Sequence, residues 1–209
     1  MMHKPYARRL SVALASVFAI AAAFAPTASA GILVESATDC EDQSLSRPFL
    51  PWLDAAQYTL APGGDAESDD GWDLSGGAGV VSGNEPWNVT SSGDSSSMGM
   101  PAGSSATTGA MCVGLEHPTL RFFARSSGAG LFSALRVEVL VEDKLGVIDD
   151  LTLGYVTPGS WSPTPAYLVT ANLLPLLPGS HTPVAFRFTP QGSGNWRIDD
   201  VYVDPYGRH

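Results

Sequence analysis

Basic residues are scarce in this sequence. Eleven Lys and Arg face 21 Asp and Glu, a formal charge of −10 on 209 residues. A chain this acidic suits neither nucleic acid nor an anionic membrane, since both need cationic side chains to replace counterions. Cysteine is nearly absent, with only Cys40 and Cys112. No Cys-x-x-Cys, His-Glu-x-x-His, Gly-x-Ser-x-Gly or phosphate-cradling glycine loop occurs. Beyond residue 30 the histidines are His117, His181 and His209. A Ser-His-Asp set drawn from distant residues signifies little by residue type alone. Asp149-Asp150, or Glu138 with Glu142, would offer a glycosidase its two carboxylates, but turn and surface charge is the ordinary reading of such acids. Helical periodicity is missing as well. The apolar stretch 171–183, "ANLLPLLPGSHTP", is cut by Pro175, Pro178 and Pro183 and reads as a loop or single turn.

The N-terminus has the three parts of an export signal. "MMHKPYARR" is basic, "LSVALASVFAIAAAFA" is apolar, and Ala28-Ser29-Ala30 fits the small-x-small cleavage rule. Residues 1–30 are therefore expected to be removed, with Arg8-Arg9 a weak form of the twin-arginine signal. No second apolar run is long enough to span a membrane, so a secreted or cell-envelope protein is expected. Loss of Lys4, Arg8 and Arg9 takes the formal charge from −10 to −13. In an exported chain Cys40 and Cys112 read as one disulfide. Closing a loop of about seventy residues would stabilise the fold by about 4 kcal/mol in the chain-entropy account.

Alternation with period two recurs beyond that point. Leu135, Val137, Val139 and Val141 share one face of "LRVEVLVE", with Arg136, Glu138 and Glu142 opposite. Leu120, Phe122 and Ala124 alternate with Arg121 and Arg125, and Val184, Phe186 and Phe188 with Arg187. Further strands are expected at 57–60, 78–82, 96–100, 107–113, 147–156 and 164–170, with a hairpin turn at 142–146. Strands without helices must bury their apolar faces on one another. The expected fold is all-β, a two-sheet antiparallel sandwich of jelly-roll type. Residues 31–56 would form an N-terminal extension tied by the disulfide, 57–204 the sandwich and 205–209 a tail. Outward arginines on strands are expected to pair across strands with acids, each pair contributing a few tenths of a kcal/mol.

The closing segment "NWRIDDVYVD" poses a problem of parity. Trp196 and Ile198 point one way, and Val201 and Val203 have the opposite parity. A bulge at Asp199-Asp200 would restore the register and release a carboxylate that needs a donor or a cation. A second acidic cluster, "PGGDAESDDGWD", holds Asp65, Glu67, Asp69, Asp70 and Asp73 around a glycine turn. It lacks the EF-hand spacing, yet carboxylates and loop carbonyls are what calcium prefers. "LAPGGDAE…GWDLSGGAGVV" together with "NWRIDDVYVD" resembles the jelly-roll carbohydrate-binding modules and related galactose-binding-like domains. Their first core strand carries a Gly-x-x-Glu turn followed by Gly-Trp, and their last carries Ile-Asp-Asp-Val. The resemblance covers about thirty residues and has Ala66 where those modules carry an aromatic. It implies that the two strands lie side by side with a structural calcium between them, held by the Glu67 and Asp199 side chains and by carbonyls near Gly64 and Asp65. The whole chain also resembles exported proteins of actinobacterial type, a likeness that carries no function.

Sugar recognition needs exposed rings, because a flat apolar surface complements the C–H face of a pyranose. Trp72 and Trp196 lie in the motif strands and read as core. Trp87 in "GNEPWNV" and Trp161 in "PGSWSPTP" lie in loops and are the better ligand candidates, with Tyr155 and Tyr167 flanking the second loop. Asn88-Val89-Thr90 matches the glycosylation sequon. The expected function is non-catalytic binding of a polysaccharide or cell-surface glycan. The alternative is a structural or adhesive envelope protein that recognises another protein, with a hydrolase further behind.

Overall fold

A computed structural model of the chain describes residues 33, 37, 40, 43–114, 117–142, 147–169 and 181–206. The expected signal peptide, the turn residues 143–146, most of the Pro-rich stretch and His209 lie outside the described residues. Among those described, no helix is long and apolar enough to cross a membrane.

After a 3₁₀ turn at Leu50–Trp52, strands follow in order: β1 (Thr59–Leu60), β2 (Trp72–Ser75), β3 (Gly79–Ser82), β4 (Ser96–Met100) and β5 (Ser105–Thr108). Then come β6 (Met111–Val113), β7 (Thr119–Ser127), β8 (Ala134–Glu142) and β9 (Ile148–Val156). The chain continues with β10 (Ser162–Pro163), β11 (Tyr167–Leu168), β12 (Thr182–Gln191) and β13 (Asn195–Asp204). All pairings are antiparallel. One sheet runs β10-β7-β13-β4-β3, with β1 on β13 and β11 on β7. The other runs β2-β5-β12-β8-β9, with β6 on β12. The fold is the two-sheet jelly-roll sandwich that the alternation called for. The expected single strand at 107–113 is two strands, and 164–170 reduces to the short β11.

The period-two faces meet in the core. Leu135, Val137, Val139 and Val141 of β8, Leu120, Phe122 and Ala124 of β7, and Val184, Phe186 and Phe188 of β12 pack in one inter-sheet cluster. Trp196, Ile198, Val201 and Val203 all join it, although their parities differ. The reason is the bulge: β13 shifts register against β7 between Asp199 and Tyr202, and Asp200 adopts φ 49°. A left-handed residue inside a strand turns the following side chains over, and Asp tolerates it better than a β-branched residue would.

The outer face of the seven-stranded sheet carries a second apolar cluster of Phe49, Tyr58, Phe123 and Tyr202, with Trp52, Val89 and Trp161 packed against it. The segment before β1 thus lies on the sandwich as part of its packing. Ser46 bridges Tyr58, and Asp54 pairs with Arg121, whose guanidinium lies 4.6 Å from the Phe49 ring centre. Cys40 and Cys112 form the expected disulfide, Cα atoms 5.0 Å apart. It ties the N-terminal segment to β6.

Candidate functional site

Trp87 and Trp161 come together. They line one pocket of about 380 Å³ with Pro86, Arg125, Ser126 and Ser160, on the outer side of β7. That volume falls in the lower part of the range for ligand pockets, about 300–1,000 Å³. Trp161 is set by its loop. Ser126 N–H donates to Gly159 O at 2.8 Å, Gly159 N–H donates to Ser126 Oγ at 3.0 Å, and β10 begins pairing with β7 at the next residue, Ser162 with Ala124. The Arg125 guanidinium lies 5.9 Å from the Trp161 ring centre. Trp87 is 45% exposed, enough to offer a face to a ligand. Its other contacts are aromatic: Trp52 meets it edge-on at 5.2 Å and Phe123 lies tilted beneath it at 5.4 Å.

The aspartates of the closing strand bear on how Trp87 is held. Asp199 is fully buried, and its two oxygens accept N–H groups of Glu85 and Asp200, each at 3.0 Å. Glu85, also buried, folds its carboxylate over the next turn and accepts Trp87 N–H at 2.5 Å and Val89 N–H at 2.7 Å. Thr90 donates to Asp200 Oδ1 and shares a 2.8 Å hydrogen bond with the Tyr202 hydroxyl. Residues 85–90 are therefore fastened to the bulge by side chain and backbone together, and Trp87 rides on them. The sequon threonine is consumed in this network.

The cost is electrostatic. Burial pushes the Asp199 carboxyl up to about 9, with the charges of Asp200 and Glu85 adding to it, despite two N–H donors that favour the ionised form. Burial likewise raises Asp200 to about 7; the Thr90 hydrogen bond opposes this, and the Glu85 and Asp94 charges reinforce it. Asp200 Oδ2 is buried without a hydrogen-bond partner among the described residues.

The acids expected to share a metal are separated by their partners. The closing strand does dock beside the glycine turn, with Ala61 N–H donating to Val201 O and Val201 N–H to Gly64 O, both at 2.9 Å. That second bond occupies the Gly64 carbonyl expected to face a metal. Glu67 turns to the β4 side, where Oε1 accepts Ser95 and Ser96 N–H at 2.7 and 2.8 Å. Burial works to raise Glu67, but these donors outweigh it and its pKa is lowered. Asp199 keeps company with Glu85 and Asp200 instead. Asp65 lies in the same turn, half-buried, and its charge is felt at Asp94. Among the described residues no group of three or more His, Cys, Asp or Glu is arranged to hold a metal ion.

The two tyrosines expected near the second loop are elsewhere. Tyr167 is a core residue, stacked on Phe122 at 6.2 Å, because β11 pairs with β7 and turns the ring between the sheets. Its hydroxyl donates to Tyr155 O at 3.2 Å. Tyr155 is 57% exposed on β9, in the other sheet, and is not among the residues lining the pocket. Sequence reasoning missed Glu85, and expected Arg125 to pair with an acid across strands. The Glu85-Pro86-Trp87 run held the signal, since an acid just before a turn can cap the turn's N–H groups.

No protein-family model matches the chain, and no curated protein matches its sequence. Solved structures similar to it include the CBM22-1–GH10 modules of Clostridium thermocellum endo-1,4-β-D-xylanase 10B complexed with xylohexaose, at 14% identity and TM-score 0.46, covering 66% of this chain and 27% of that one. A xylan-binding domain of CBM family 22 has 19% identity and TM-score 0.45, covering 75% and 99%. The CBM22-1 xylan-binding domain of Paenibacillus barcinonensis Xyn10C has 12% identity and TM-score 0.44, covering 69% and 90%. The chain thus spans about a quarter of the first of these structures. At such identities nothing about ligand or site carries across, and none of these structures bears on the likeness to actinobacterial-type proteins.

Proposed function

We propose that this protein is a secreted, non-catalytic module that binds a glycan in the pocket between Trp87 and Trp161. One observation carries the reading: two tryptophans from separate loops converge on a pocket whose remaining lining is Arg125, Ser126, Ser160 and Pro86. Ring faces for C–H surfaces, with hydroxyl and guanidinium groups for sugar oxygens, are what a pyranose asks of a site. The buried acid network behind Trp87 supports the same reading, since fixing a ring before binding reduces the entropy lost on association. Affinity electrophoresis in gels containing soluble polysaccharides tests it. The wild-type chain should be retarded by at least one polysaccharide, and Trp161→Ala should run as in a gel without ligand. Unretarded wild type across xylans, glucans, mannans and pectins would defeat the proposal.

The alternative, adhesion to another protein, draws on Leu131 and Phe132, whose side chains stand almost fully in solvent between β7 and β8. Replacing both with Ser would abolish adhesion to a protein partner and leave polysaccharide retardation intact.

A further inference from the structure

We infer that the Trp87–Trp161 pocket takes an acidic sugar, a uronic acid unit of a glycan, with Arg125 as the partner of its carboxylate. The inference rests on the glycan-binding reading and adds the charge of the ring that binds.

Five arginines lie on the long strands, and four are matched. Arg121 pairs with Asp54 and donates to Thr164 O at 2.7 Å. Arg136 and Arg187 share the buried Glu138, at 3.3 and 3.0 Å. Arg197 donates to Ser82 O at 2.9 Å. Arg125 is the exception: its guanidinium lies over Trp161 and, among the described residues, neither a carboxylate nor a carbonyl takes its N–H groups.

The sheet register adds a second observation. Arg125 of β7 stands directly opposite Arg197 of β13. Like charges facing each other across a ladder destabilise the pair. Arg197 turns to the carbonyls near β3, which leaves Arg125 to the pocket side. An arriving carboxylate would relieve this repulsion as well as form its own bonds. Arg held by a ring keeps the N–H edges of its planar fork for a bidentate acceptor, a geometry that a carboxylate matches. Ring faces beside that fork call for an anion carried on a sugar ring and not for a free ion. The overall negative charge of the protein repels acidic polymers at long range, so recognition is a contact property; screening over about 8 Å at physiological salt permits this.

Calorimetric titration of the whole protein tests the assignment with three probes: an oligogalacturonide, its carboxyl-reduced neutral counterpart and a sulfated neutral oligosaccharide. Wild type should bind the uronide about ten- to a hundredfold more tightly than the reduced form, the worth of one charge-assisted contact. Arg125→Met should bring that ratio close to one, and Trp161→Ala should weaken both ligands. Equal wild-type affinity for uronide and reduced ligand, or a preference that survives in Arg125→Met, would overturn the inference and leave glycan binding standing. Sulfated ligand bound as tightly as uronide would overturn the carboxylate assignment. Wild type that binds none of the probes would overturn the inference, the glycan reading then being decided by the retardation screen, and Trp161→Ala that binds as wild type does would remove the glycan reading at this pocket. Should Arg125→Met fail to fold, the comparison of the two ligands on wild type decides alone.

Discussion

Asp200→Asn should stabilise the protein more at neutral pH than at mildly acidic pH. Asp200 is buried, accepts a hydrogen bond from Thr90 on Oδ1 and leaves Oδ2 without a partner among the described residues. Burial, with the charges of Glu85 and Asp94, raises its pKa from 3.8 to about 7. The folded state therefore keeps a proton that the unfolded chain releases near pH 4. Stability from this group is fully present below about pH 4 and is lost as pH rises towards 7, at no more than about 1.4 kcal/mol per pH unit. Asn carries no charge, keeps the acceptor for Thr90, tolerates the φ of 49° and turns an N–H donor towards Glu85. Between about pH 5 and about pH 7 the variant escapes a loss of at most about 3 kcal/mol. Relaxation and proton sharing among the neighbouring acids reduce this to about 1–2 kcal/mol. For a chain of this size that corresponds to a melting temperature roughly 2–8 °C higher. Melting followed by near-ultraviolet circular dichroism, in chelator at both pH values, reads the difference. Asp200→Asn melting below wild type by the same amount at both pH values would refute the reasoning, because it would mean that the carboxylate is ionised and matched in the fold.

Trp87→Ala should cost stability as well as ligand binding, about 1–2 kcal/mol in urea titration, since the ring also packs on Trp52 and Phe123. Unchanged stability would mean that those contacts are absent in solution. Glu138→Gln should destabilise by about 1–2 kcal/mol, because it leaves Arg136 and Arg187 without their buried acid. The figure sits below that for a fully buried pair because both arginines are partly solvated. An effect under about 0.3 kcal/mol would show that solvent screens the pair completely. Reducing the Cys40–Cys112 bond should lower stability by up to about 4 kcal/mol while leaving glycan affinity within reach of wild type, provided that the segment at Phe49 and Trp52 stays docked. Ligand binding lost in step with reduction would mean that the disulfide itself holds the pocket.

The inter-sheet core was readable because each strand buries one face, and period two marks that face residue by residue. The bulge was readable for the same reason: Trp196-Ile198 and Val201-Val203 could share a core only if the register slipped between them. Trp87 and Trp161 stood out as rings within Gly- and Pro-rich loops. What sequence alone could not supply is which distant groups meet. Glu67 and Asp199 looked like partners by analogy, yet local donors decided both: Ser95 and Ser96 claimed the first, Glu85 and Asp200 the second. Tyr155 and Tyr167 are neighbours of the Trp161 loop along the chain, but strand pairing sends one to the other sheet and the other into the core. Arg125 resembled its fellow strand arginines until their partners, acids for three and carbonyls for Arg197, were assigned. The second apolar cluster lay hidden because Phe49 and Trp52 fall in a segment with no alternation to give them a face.

The site of ligand contact is the most direct test of glycan recognition in this pocket. Backbone amide shifts of the labelled protein, followed by NMR while an oligosaccharide that retards it is titrated in, locate that site without any mutation. The largest shifts should fall on Trp87, Arg125, Ser126, Ser160 and the Trp161 indole N–H. Shifts concentrated on β9 and the outer face of the six-stranded sheet, with these residues unmoved, would contradict it.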